Sequence, residues 1–262
     1  KMQLAALAES GFDPLSRSCR FMLTEEAHHL FVGETGVGRT IEATCNAMVK
    51  AGITDPYDTE AIRKLGVVDL PLLQRKANFH MSVTRDLFGS EISSNGAEAF
   101  SSGLKGRFNE TRLTDDHELQ NDTYSVTRVV DGKLVDEAVP ALRAINCRLL
   151  DDYMADCQGG IDRWNKTIEK AGINFRITQP HKGFNRRIGE FAGHRISPAG
   201  EILSEAQWSA QSGNWLPNDS DMQFINSLMK PCHEPGRYAS WIAPPRLGIN
   251  QQPVDYEYVK IA

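Results

Sequence analysis

The stretch AHHLFVGETGVGRT, Ala27 to Thr40, supports two incompatible readings. From its right end, GETGVGRT fits the phosphate loop G-x-x-x-x-G-K-[ST], with Arg39 where the pattern has lysine. From its left end, joined to Glu25 and Glu26, it is a Glu-x-x-His helix able to present a carboxylate and an imidazole to one ion. The first reading needs a buried strand, a glycine loop and a helix. The second needs an uninterrupted helix through the histidines.

The phosphate loop has candidate parts: Leu30-Phe31-Val32 as the strand end, Thr40 to Lys50 as the helix, and Asp69 after Val67-Val68 as a magnesium ligand. Three features oppose it. Arginine does not replace the compact ammonium of lysine at a point-charge site. The candidate strand follows Glu25, Glu26, His28 and His29, which a strand buried on both faces does not tolerate. The chain also lacks the alternation of strands and helices that a parallel sheet requires.

The helical reading selects one of two overlapping pairs, Glu25 with His28 or Glu26 with His29. At about 100° per residue, Cys19, Met22, Leu23, Glu26, His29, Leu30, Gly33 and Val37 share one side, otherwise apolar or small. A carboxylate within an apolar stripe is costly unless paired or bound to a metal. The expectation is therefore that Glu26 and His29 are the buried pair. No other glutamate in the chain has histidine three residues later, so a dinuclear carboxylate site would need ligands from outside it.

The rest of the chain bounds the possibilities. Its 262 residues are 40% hydrophobic and 24% charged, an ordinary globular composition. A net charge of -5 gives no global basic excess for nucleic acid. Five scattered cysteines without C-x-x-C fit neither a disulfide framework nor a zinc knuckle, so a reducing cytoplasm is the expected location. No apolar run approaches the roughly 20 residues of a membrane span. The opening KMQLAALAESG is amphipathic and lacks an initiator methionine, which reads as a segment of a longer protein.

Local signals place the elements. Asp13-Pro14 starts a helix running to about Val32, where Gly33, Gly36 and Gly38 are expected to loosen or break it, with a second helix from Thr40 to Lys50. A short helix is expected around Ala61 and one long helical run from Leu70 to Ser102. Asp131-Gly132 between YSVTRVV and KLVDEAV marks a hairpin insertion near 122–139. Pro140 opens another long helix ending at Gly172. Beyond it, INFRITQ and VDYEYVKI read as strands, and Asp219 to Lys230 is the helix expected there. The fold class is mainly α, with a helical region over 1–172 and a mixed, loop-rich region over 173–262 carrying short strands.

Several long stretches carry a resemblance: LAESGFDPLSRSCRFMLTEEAHHLFVGE, EISSN, GLKGRF, GGIDRWN, PHKGF, NWLP, EPGRYASWIAPP and INQQPVDYEYV. Across essentially its whole length, the chain closely resembles the oxygenase component of benzoyl-CoA 2,3-epoxidase, a ferritin-like di-iron carboxylate family. The resemblance implies the C-terminal half of a ferritin-like helical bundle, with Glu26 and His29 as iron ligands and the other ligands before Lys1. It implies two iron ions, O2 as co-substrate and benzoyl-CoA as substrate of epoxidation in benzoate catabolism. Electrons would come from NADPH through a separate reductase carrying FAD and an iron–sulfur centre. An isolated chain of these residues is expected to be inactive. A metal-free scaffold on the same fold is the remaining alternative beside the nucleotide-binding one.

Coenzyme A carries phosphates, so cationic clusters are candidates for holding it. Lys182, Arg186 and Arg187 in PHKGFNRRIG form the first, with Gly183 allowing close backbone approach, and Lys105 with Arg107 forms the second. His80, His117, His181, His194 and His233 have no catalytic spacing. Trp164, Trp208, Trp215 and Trp241 read as packing residues.

Overall fold

The computed structural model describes residues 1–106, 122–234, 239–245, 247 and 252. The expected tail strand VDYEYVKI, His117 and Arg107 lie outside the described residues. The chain is mainly helical, as expected: α1 Met2–Ala8, α2 Asp13–Ala51, α3 Thr59–Lys64, α4 Leu70–Asp86, α5 Ser94–Ser101, α6 Ile145–Lys170, α7 Glu205–Trp215 and α8 Asp219–Met229. Strands β1 Thr123–Val130 and β2 Lys133–Pro140 pair with each other, as do the short β3 Arg195–Ile196 and β4 Ile202–Leu203.

The deciding stretch is helical throughout. α2 runs 39 residues without interruption, so the break expected at Gly33 to Gly38 does not occur. None of these three glycines has a positive φ, whereas Gly52 (φ 69°) ends the helix where expected. Three interior glycines weaken helix propensity by up to about 1 kcal/mol each, and tertiary contacts override that deficit. Trp164 packs beside Gly38, where an added Cβ would stand in ordinary contact, 3.5 Å from Trp164 Cδ1. Trp164 Nε1 donates to Glu34 O at 3.0 Å, and Arg163 forks onto the Glu34 carboxylate.

Two compact units share the chain. The first comprises residues 1–31, 78–159 and 179–212. Its core joins Met2 and Ala6 of α1, Phe88, and Ile145, Leu149 and Leu150 of α6. A second cluster, Val126, Val139, Ala144 and Cys147, seats the hairpin. The hairpin keeps the expected register about Asp131-Gly132, and positive φ at both residues gives the primed turn that matches strand twist. Where one helical run was expected from Leu70 to Ser102, α4 stops at Asp86, Gly89 takes φ 79°, and Ser93 caps α5.

The second unit comprises 32–77, 160–178 and 213–262. Ile41, Cys45 and Met48 of α2, Ile62, Leu70, Leu72, Ile161 and Ile168 are buried in it. The expected strand INFRITQ is irregular and belongs to no sheet, and Phe175 N donates to Ile173 O at 3.0 Å within it. Side-chain amides take the place of a partner strand. Asn165 donates to Ile177 O (2.9 Å) and accepts from Ile177 N (2.8 Å), and Gln74 does the same for Thr178 at 2.9 and 2.8 Å.

The C-terminal region adds one helix to the one expected. α8 carries a capping box between Asn218 and Asp221, a signal legible in sequence. α7 was not expected. It buries Trp208 against Phe184 within the first unit, a long-range contact that outweighs its weak amphipathic pattern.

Candidate metal centre

Glu26 and His29 occupy consecutive turns of one unbroken helix, and this brings them together. His29 Nδ1 lies 3.5 Å from Glu26 Oε1. First-row metal bonds run roughly 2.0–2.2 Å, so a single ion can touch both atoms. The donor set, one carboxylate and one imidazole, suits a mid-transition metal. Among the described residues, no group of three or more His, Cys, Asp or Glu is placed to hold an ion. The residues present therefore fit part of a metal site.

The environment differs from the buried stripe expected. Side-chain exposure is 35% for Glu26 and 62% for His29. Cys19 is buried, but Met22, Leu30, Phe31 and Val32 on the same length of helix are exposed, Phe31 at 65%. Residue periodicity identifies a face of the helix without supplying the element that covers it.

The phosphate-loop alternative fails on this backbone. Residues 33–40 are helical, so their N–H groups serve the α2 ladder and form no anion cradle. Asp69, its proposed magnesium ligand, is fully buried, accepts from Leu72 N at 2.8 Å and pairs with Arg63 at 2.6 Å.

The cationic cluster is divided by the fold. Arg186 is buried, its guanidinium bonded to Asp86 and Glu91, each at 2.7 Å, and to the carbonyls of Lys182 and Ile188. It locks its loop and presents no charge to a ligand. Lys182 Nζ is 3.9 Å from Asp151, while Arg187 is exposed. Lys105 donates to Gln3 at 2.7 Å, and burial pushes its ammonium down.

Two polar networks were not foreseen. In the first unit, Arg85 is fully buried and donates to the carbonyls of Pro180 and His181 and to Gln179. Burial pushes its guanidinium down to about 10. In the second, Asp221 accepts from Arg63 (2.7 Å) and Arg75 (2.8 and 3.0 Å). Burial opposes its ionisation, but the bonds from Arg75 and Arg63 prevail and hold its carboxyl below the ordinary range. The partners are up to 158 residues apart, so no local spacing announces them.

The chain is 55% identical over 260 residues to benzoyl-CoA oxygenase component B of Aromatoleum evansii. The chain is related to that oxygenase component. The match takes in 99% of this chain and 54% of the relative, so the chain spans about half the length of the curated relative it matches. No family model matches it. At this identity over nearly every residue, the resemblance to a benzoyl-CoA oxygenase component is borne out.

Proposed function

We propose that this chain is part of a di-iron oxygenase component that epoxidises the 2,3 bond of the benzoyl ring in benzoyl-CoA. The observation that carries the proposal is the 55% identity over 260 residues to a benzoyl-CoA oxygenase component. The juxtaposition of Glu26 and His29 on α2 supports it chemically. In this reading the fold is ferritin-like, and Glu26 and His29 supply one carboxylate and one imidazole to a pair of iron ions.

The bound iron would supply reductive activation of O2, with open coordination positions for the gas. One oxygen atom is added across the ring bond and the other leaves as water, consuming two electrons and two protons. The electrons would come from NADPH through a separate flavin and iron–sulfur reductase. Glu26 would contribute a carboxylate whose negative charge offsets that of the cations. His29 contributes a neutral nitrogen donor, and its remaining ring N–H needs an acceptor to fix its orientation. The exposed Arg187 remains a candidate contact for coenzyme A phosphate, while Arg186 serves the loop.

The test is iron content of the full-length protein after anaerobic loading with Fe(II), beside Glu26→Ala and His29→Ala. About two irons per parent chain are expected, with a sharp loss in both variants whose folding is verified by circular dichroism. A parent that binds no specific iron refutes the di-iron reading and leaves a metal-free scaffold.

A further inference from the structure

The GETGVGRT stretch has a role in the second unit that neither opening reading contains. Arg39, standing where a phosphate loop has lysine, exchanges hydrogen bonds with a non-helical segment 204 residues away. Ala243 N donates to Arg39 O at 3.0 Å, and Arg39 Nε donates back to Ala243 O at 2.6 Å. A helix carbonyl normally serves its own ladder, so accepting an outside N–H requires a close backbone approach at this turn.

Two further features bear on how firmly the segment is held. Pro244 and Pro245 follow Ala243 directly, and neither has an N–H to extend the pairing. Two residues before Ala243, the Trp241 indole N–H is buried and has no acceptor among the described residues. A buried donor left unpaired is penalised while the segment is docked, and water satisfies it once the segment lifts.

We propose that residues 239–245 form a strap clasped onto α2 by Arg39, and that this strap opens as a local unit while the helices beneath it stay folded. Trp241, Ile242 and Ala243 are half-buried and belong to no fully buried part of the core, so the reciprocal pair on Arg39 is the directional contact whose loss frees the segment. The unpaired indole N–H biases the docked strap toward opening. Arginine suits the position because its planar guanidinium offers an Nε–H that lysine lacks. This proposal does not depend on the iron reading.

Amide hydrogen exchange on the full-length protein, read by mass spectrometry of peptides, tests it. Arg39→Lys keeps the charge and removes the Nε donor. Exchange over 239–245 should quicken by about tenfold or more, as expected for a lost charge-assisted bond, with peptides from α2 and α6 and the thermal midpoint unchanged. Trp241→Phe removes the unpaired N–H and should slow exchange of the same peptide. Unchanged exchange in Arg39→Lys overturns the clasp. Faster exchange across the strap and both helices together shows one cooperative unit and overturns local opening. Faster exchange in Trp241→Phe overturns the part assigned to the indole.

Discussion

Replacing Gly33 and Gly36 by alanine tests the reading on which the fold rests. Both glycines lie inside α2, neither has a positive φ, and an added Cβ at either meets nothing within 4 Å among the described residues. Alanine therefore carries no steric cost at these positions and reduces the conformational freedom of the unfolded chain. Each exchange should stabilise by roughly 0.5–1 kcal/mol, and the pair by about 1–2 kcal/mol if the two act independently. For a chain of this size, 1 kcal/mol moves the thermal midpoint by roughly 2–4 °C. The double variant of the 262-residue chain should thus melt about 2–8 °C higher. Gly38→Ala is the internal control: its Cβ would stand 3.5 Å from Trp164, in ordinary contact, so the propensity gain remains and any gain from open space does not. Urea unfolding at fixed pH gives the free energies. A double variant destabilised by more than about 1 kcal/mol would refute the continuous helix, because a phosphate loop needs its glycines for backbone conformation and close approach.

Other consequences follow from the buried polar networks. Asp221→Ala leaves Arg63 and Arg75 without the carboxylate they share, and unfolding free energy should fall by about 3–5 kcal/mol. Denaturant titration of parent and variant checks this, and a loss below about 1 kcal/mol would mean the network is not formed. His181 accepts from Gly183 N through Nδ1, and burial, with Lys182 and Arg85 adding to it, pushes the imidazole below its ordinary range. The folded state thus resists protonation more than the unfolded state, whose histidine titrates near about 6.5. The resulting stability is fully present above that pH and is lost as pH falls through the lower folded value. Unfolding free energy measured from pH 7.5 down to 5 should decline less steeply in His181→Gln than in the parent. Equal slopes would rule out the contribution of His181.

The elements legible in sequence were those with local causes. Asp131-Gly132 needs only its own two positive φ angles to turn the hairpin. Asn218 and Asp221 cap α8 from within four residues, and Gly52 and Gly172 end helices by adopting φ 69° and 72°. The misreadings lie where a distant partner decides. Trp164 and Arg163 brace α2 beside the glycines that local propensity would break. Asn165 and Gln74 satisfy a segment that reads as a strand and has no ladder.

The candidate site divides along the same line. Spacing alone determined that Glu26 and His29 share a helix face, since three residues are nearly one turn. It also determined the relationship to the oxygenase component, because long ordered blocks of residues carry ancestry directly. Tertiary structure alone decided that Arg186 is spent on Asp86 and Glu91, that Asp69 caps a helix, and that Glu26 and His29 stand partly or largely in solvent. A side chain's periodicity depends on its neighbours along the chain. Its burial and its counter-ion depend on residues that only folding brings near.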